Sequence, residues 1–120
     1  MNHITFGMWG EARARSFLFQ KGYKILTSHY RLKIGEIDII AQDGDIIVFV
    51  EVKTRRNDDY GTPAEAVNFR KQRKIKMTAL SYLQRFSLQE QPVRFDVIEV
   101  YGTGGKQSNI HHIINAFGGT

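Results

Sequence analysis

The sequence contains no cysteine, only two prolines and one tryptophan, and no long apolar run. Without cysteine there is no disulfide framework, no thiolate metal site and no thiol nucleophile. The longest apolar stretches, such as Ile46–Val50, are far too short to cross a bilayer as a helix. The opening MNHITFGMWGE has neither a basic start nor an apolar core, so no secretory signal is expected and a cytoplasmic location is. A phosphate-binding glycine loop is missing too, because Gly102, Gly104 and Gly105 form a turn with no helix pattern after it. Internal repeats and linker-like stretches are also lacking, which leaves one domain over residues 1–120. At 42% hydrophobic residues, that domain can bury a core.

Charge is unevenly placed. The net charge of +5 says little alone, but eight of the twelve acids fall from Glu36 to Glu65. Between Glu11 and Glu36 stand Arg13, Arg15, Lys21, Lys24, Arg31 and Lys33 with no acid among them. Between Glu65 and Glu90 stand Arg70, Lys71, Arg73, Lys74, Lys76 and Arg85, again without an acid. A carboxylate centre flanked by basic stretches suits a polyanionic partner such as nucleic acid.

Apolar spacing predicts a helix over residues 8–21, with Trp9, Ala12 and Ser16 on one stripe, Phe17 and Phe19 beside it, and Gly22 as the stop. Tyr23–Tyr30, Glu36–Ala41 and Ile46–Thr54 read as strands. Thr62-Pro63-Ala64-Glu65 is a helix start, and the helical pattern runs to about Phe86 with a break near Asn68. Ile75, Ala79, Leu80, Tyr82, Leu83 and Phe86 form its apolar stripe. Val93–Tyr101 and Ile110–Ile114 are further strands. A long helix between strands implies a crossover, so the class is α/β with a mixed sheet.

The second and third strands carry the chemistry. Asp43-Gly44 is a hairpin signal, and as a two-residue loop it sets Glu36 opposite Glu51, Asp38 opposite Phe49 and Ile40 opposite Ile47. Alternation then places Glu36, Asp38, Phe49, Glu51 and Lys53 on one face. The other face, with Ile37, Ile39, Ala41, Ile46, Val48, Val50 and Val52, is wholly apolar. Carboxylates clustered on a half-buried sheet repel one another and lose solvation unless a positive charge compensates. Edge strands also carry charges, simply to deter pairing. The strand–turn–strand context with every member on one face favours an oxygen-ligated divalent cation, Mg²⁺ or Mn²⁺, with Lys53 beside it to handle a proton or neutralise phosphate charge.

Gly35-Glu36-Ile37-Asp38 followed by Val48-Phe49-Val50-Glu51-Val52-Lys53-Thr54-Arg55 resembles the YraN-like family of small bacterial proteins. The resemblance extends through Gly10-Glu11-Ala12, Gly22-Tyr23, Tyr60-Gly61, Pro63, Glu65-Ala66-Val67 and Lys71. It continues in Arg94-Phe95-Asp96-Val97-Ile98-Glu99-Val100 and Asn115-Ala116-Phe117. That family is similar to the PD-(D/E)xK nucleases, among which the archaeal Holliday-junction resolvases look nearest. The resemblance implies a restriction-endonuclease-like αβββαβ core and a metal-dependent endonuclease acting on DNA. It makes Asp38 and Glu51 metal ligands, Lys53 the catalytic lysine, and Glu11 a further helical carboxylate of the metal site. Ile37 stands where the motif has proline. Gln72 lies near where related nucleases place a polar helix residue.

Other residues have plainer readings beside these. Glu11 is also a first-turn acid favoured by the helix dipole. Glu36 is an outer ligand or a partner of Lys33 or Arg55. Arg55 could contact phosphate, as could Arg70, Lys71, Arg73 and Lys74 of the RKQRKIK segment, whereas Arg56 is expected at a solvated strand end. The stretch from Arg55 to Thr62 reads as a loop beside the site. His111-His112 makes no metal pair, because neighbouring strand residues face opposite ways. Phe17, Phe19, Phe86 and Phe117 are either core or the interface of a homodimer, which junction resolution would need. The competing function is a nucleic-acid-binding module that keeps the nuclease fold without catalysis.

Overall fold

Asn2 opens the first helix, α1 (His3–Gln20), its Oδ1 accepting a hydrogen bond from the Thr5 amide at 2.9 Å. Such a cap satisfies an amide that has no carbonyl partner within the helix. The helix therefore starts earlier than residue 8, in a computed structural model that describes residues 1–56 and 67–118. Its buried stripe is Phe6, Gly10, Ala14 and Leu18, spaced by four, and not Trp9, Ala12 and Ser16. Ala12 and Ser16 are exposed, while half-buried Trp9 donates its indole N–H to the Gly105 carbonyl at 2.9 Å. Gly10 explains the choice of stripe, since a Cβ there would overlap the Thr54 side chain. Only glycine lets α1 approach the sheet this closely.

The strands are β1 (Lys24–Leu32), β2 (Gly35–Asp43), β3 (Ile46–Arg55), β4 (Val93–Gly102) and β5 (Ser108–Ile113). The second helix, α2 (Phe69–Arg85), lies between β3 and β4. All five strands form one sheet in sequence order, antiparallel except for the parallel β3–β4 pair that α2 bridges. The fold is α/β with a mixed sheet between two helices, and its element order is compatible with the restriction-endonuclease-like core. No helix among the described residues is long and apolar enough to cross a membrane.

The hairpin differs by one step from the expected register. Asp43 still pairs, opposite Ile46, and the turn is Gly44-Asp45 with Gly44 at φ 64°. Glycine at the first turn position matches the twist of the flanking strands. Opposed residues shift by two, so Ile40 faces Phe49 rather than Ile47, and the expected Glu36–Glu51 and Asp38–Phe49 pairs do not form. A shift of two preserves the faces. The β2–β3 ladder ends at Ile39–Val50. Alternation slips just beyond, so Ile37 packs with Ile40 and Phe49 on the α2 side rather than with Ile39.

Each face of the sheet has its own core layer. Ala14 and Leu18 of α1 cover Ile39, Ala41, Val48, Val50, Ile98 and Val100. Ile75, Ala79, Tyr82 and Leu83 of α2 cover Ile40, Ile47, Phe49 and Val97. Leu80 and Phe86 do not belong to the α2 stripe, being 55% and 49% exposed. Five residues past Ile75 a helical side chain has turned well away from it, so Leu80 faces out. Thr78 is buried instead, its hydroxyl donating to the Lys74 carbonyl at 2.8 Å. Phe117 is core, Phe17 is half-buried, and Phe19 is exposed. Asn68 caps α2 by accepting from the Lys71 amide at 2.9 Å, which accounts for the break foreseen there. The Thr62–Glu65 helix start lies outside the described residues.

Candidate active site

Where β2 and β3 part, a side chain takes over from the ladder. Asp38 Oδ2 accepts a hydrogen bond from the Val52 amide at 2.8 Å. The Asp38 carboxyl also lies close to that of Glu51, which is buried, and the two share the cleft. Burial, and then the neighbouring Glu51 charge, push the Asp38 carboxyl up to about 8. Two carboxyl groups this close do not both ionise unless a cation joins them.

Two lysines answer that charge. Lys71, in the first turn of α2, places Nζ 3.0 Å from Glu51 Oε1. Burial works against its charge, but Glu51 outweighs it and holds the Lys71 ammonium above its usual value. Lys53, half-buried two residues along β3, is lowered by burial and then by the neighbouring Lys71 charge. One lysine is thus held charged, and the other is made easier to deprotonate. A cleft of about 190 Å³ opens here, lined by Glu36, Asp38 and Glu51 of the sheet and by Lys71, Lys74 and Ile75 of α2.

Glu11 and Glu36 flank this centre and share His29. His29 Nε2 lies 2.9 Å from Glu11 Oε1, and its Nδ1 lies 3.5 Å from Glu36 Oε1. His29 sits within β1 at φ 53°, a left-handed conformation costly for a residue with a Cβ. Glu36 is further held by Arg31 at 3.2 Å, and not by Lys33 or Arg55. Burial raises the Glu11 carboxyl, and its buried Oε1 lacks a well-aligned hydrogen bond despite the nearness of His29. Glu11 is close enough to Asp38 and Glu51 for its charge to act on them.

The fold therefore gathers Asp38, Glu51 and Lys53, adds Lys71 to them, and sets Glu11 alongside. Arg70, Arg73 and Lys74 are exposed on α2, with Lys74 at the cleft. Arg55 turns to Glu99 on β4 at 3.2 Å. Arg56 lies over the Phe6 ring, 5.1 Å from its centroid. Gln72 donates its amide to the Val67 carbonyl at 2.9 Å. His111 and His112 face opposite ways, His111 toward Glu99 and His112 onto Asp96 at 2.7 Å. Residues 57–62 of the expected loop lie outside the described residues. Sequence reading missed His29, which has no spacing signal, and treated Lys71 as a phosphate contact alone.

Among the described residues no three or more His, Asp or Glu side chains converge as a ready-made metal cage. The donor set is the Asp38–Glu51 pair. It fits a hard cation that keeps most of its waters, as Mg²⁺ does when one or two carboxylates hold it.

Mixed-sheet architecture, with a carboxylate pair at the β2–β3 parting and a lysine two residues on, defines an α/β protein compatible with the restriction-endonuclease-like class. The family model described as "Uncharacterised protein family UPF0102" matches residues 10–100. The chain belongs to that family, the YraN family of the sequence resemblance. A UPF0102 protein of Clostridioides difficile is 50% identical over 117 residues, covering 98% of this chain and 100% of the relative. One from Alkaliphilus metalliredigens is 49% identical over 113 residues, covering 94% and 97%. A Rhodococcus opacus relative is 44% identical over 116 residues, covering 97% and 98%.

Proposed function

We propose that this protein is a Mg²⁺- or Mn²⁺-dependent endonuclease that hydrolyses DNA phosphodiester bonds. The observation that carries this reading is the Asp38–Glu51 carboxyl pair in one cleft with Lys71 3.0 Å from Glu51 and Lys53 beside it. A buried pair of acids held side by side costs stability unless something compensates it. Two lysines converging on that pair add a means of moving protons and holding phosphate.

Asp38 and Glu51 are the residues that would hold the cation. When bound, the cation would supply positive charge to a phosphodiester oxygen and acidify water beside it. Lys53, depressed by burial and by Lys71, is suited to take a proton from the attacking water or give one to the departing oxygen. Lys71 and Lys74, at the cleft, bind and orient the phosphate that brings the scissile bond there. Glu11, held by His29, adds negative charge beside the pair without joining it as a third converging carboxylate. The resemblance to junction resolvases puts branched DNA among the substrates to be tested, and resolving a junction would require two copies of the chain.

The test is cleavage of branched, nicked, single-stranded and double-stranded DNA with Mg²⁺, with Mn²⁺ and with chelator. Metal-dependent cleavage that Lys53→Ala abolishes, with an unchanged circular dichroism spectrum, is the expected result. Robust cleavage by Lys53→Ala would sink the mechanism. Salt-sensitive binding with no hydrolysis of any substrate would instead identify a binding module.

A further inference from the structure

A second cavity, of about 420 Å³, opens on the same face of the sheet as the carboxylate pair. Its wall includes Val97, the β4 residue registered directly beside Glu51 of β3. Registered residues of neighbouring strands lie roughly 4.8 Å apart, so the cavity begins one strand from the proposed metal ligand. Gln72, the next residue after Lys71 on α2, lines it from the helix side. Val67, Ala116 and the Phe117 ring complete an apolar enclosure. Phe117 is itself stacked on Phe95, with ring centroids 5.3 Å apart, so the aromatic wall is rigid.

Polar side chains are few, Gln72 from α2 and His111 from β5. His111 lines the cavity, and its Nδ1 lies 3.4 Å from Glu99 Oε1. Glu99 is fully buried, yet that oxygen has no hydrogen bond, although Oε2 accepts from Arg55 and Tyr101. Glu99 is not itself among the residues that line the cavity, so the polar side chains a ligand meets there are His111 and Gln72. Apolar walls, one aromatic ring and a small set of donors and acceptors suit a planar heterocycle.

We propose that this cavity receives one unstacked nucleobase of the strand whose phosphate lies at Asp38 and Glu51. This rests on the nuclease reading and adds to it a substrate class: DNA with an unpaired or extruded base beside the scissile phosphate. Enzymes that must reach into a strand favour bases already unpaired, because unstacking then costs least. Gln72 and His111 read the base, and the lysines of the adjoining cleft hold its phosphate.

The experiment is binding rather than cleavage, with Ca²⁺ or chelator present and 2-aminopurine as the fluorescent base. Three oligonucleotides are compared: single-stranded, duplex with one 2-aminopurine bulge, and fully paired duplex. The bulged and single-stranded forms are expected to bind on the order of tenfold tighter than the paired duplex, the scale of one base–aromatic stack. Ala116→Trp fills the cavity from an exposed position, and Gln72→Ala removes its amide. Ala116→Trp is expected to abolish the preference while leaving salt-dependent binding of the paired duplex unchanged, and Gln72→Ala is expected to reduce the preference. Equal affinity for all three forms, or a preference that survives Ala116→Trp, overturns the proposal. So does competition by free dAMP as effective as the oligonucleotide, which would assign the cavity to a mononucleotide. The nuclease reading fails separately, by absence of hydrolysis, which this binding measurement does not read.

Discussion

Asp38 replaces a backbone carbonyl: its carboxylate accepts the Val52 amide at 2.8 Å, just past the point where the β2–β3 ladder ends. One side chain thus does two jobs. It satisfies an amide that strand separation would otherwise orphan, and it stands against Glu51 as a buried acid.

The two jobs separate by substitution. Because its carboxyl is pushed up to about 8, folded Asp38 keeps its proton where the unfolded chain has lost it. Stability then falls as pH rises from about 4 to about 8. Asparagine keeps an acceptor for Val52 and carries no charge. Asp38→Asn is therefore expected to melt higher than wild type at pH 8, with the difference vanishing near pH 4. Asp38→Ala leaves the amide unpaired and is expected to lose about 1–3 kcal/mol relative to Asp38→Asn at every pH. Calorimetric melts of the three proteins at pH 4, 6 and 8 check both signs. Adding Mg²⁺ at pH 8 is expected to raise the wild-type melt and not that of Asp38→Asn.

Lys71 competes with any cation for Glu51. Its ammonium lies 3.0 Å from Oε1, so a cation binding there works against a like charge. Lys71→Gln is expected to tighten Mn²⁺ binding roughly tenfold, equivalent to about 1.4 kcal/mol. The same variant is expected to weaken DNA binding, because it removes a phosphate contact. Isothermal titration with Mn²⁺ and with an oligonucleotide would show the opposed shifts. Weaker Mn²⁺ binding in Lys71→Gln would mean that the lysine supports the site rather than rivals the ion.

A second buried charge cluster supports the sheet away from the site. Arg94 reaches Asp96 at 3.0 Å, Asp43 at 3.2 Å and the Tyr23 hydroxyl at 2.6 Å, while His112 meets Asp96 at 2.7 Å. Burial alone would raise Asp96, but hydrogen bonds from His112, Arg94 and the Asn115 amide outweigh it and hold the carboxyl low. Its stabilising effect is complete above the unfolded value near 4 and is lost as pH falls through the lower folded value. Asp96→Asn is expected to cost about 3 kcal/mol at pH 7, because Arg94 loses its buried carboxylate and keeps only the more exposed Asp43. The gap to wild type narrows in acid. Urea melts at pH 7 and pH 3 measure it, and a constant gap would rule out a charge origin.

Most of the fold was legible because apolar alternation and turn residues state it locally. The strand at Ile46–Val52 and the sharing of one face by Asp38, Glu51 and Lys53 needed only period two. The hairpin shift did not disturb this, since a slip of two residues leaves parity intact. Helix faces were less legible. Gly10 and Ala14 have little hydrophobicity to announce burial, and their place is set by close approach of α1 to Thr54. Asn2 as a cap was open to local reading, whereas His29 was not. Its bridge between Glu11 and Glu36 depends on a backbone conformation that only the assembled sheet imposes. The Lys71–Glu51 pair arises from α2 packing across β3, a contact between elements that sequence spacing does not encode.

Basic residues on α2 give the last prediction its separable parts. Lys71 is half-buried at the carboxylates, whereas Arg70 and Arg73 are exposed on the same helix. Contacts of exposed cations with a DNA backbone release condensed counterions, each adding about 0.9 to the slope of log affinity against log salt. Arg70→Gln with Arg73→Gln is expected to reduce that slope by about 2 and to weaken binding alike on paired and bulged DNA. It should leave Mn²⁺ binding and the Asp38-linked pH profile unchanged, because neither guanidinium meets the carboxylate pair. Affinity measured from 50 to 300 mM KCl reads the slope directly. An unchanged slope would remove this face of α2 from the DNA path and confine phosphate binding to Lys71 and Lys74 at the cleft.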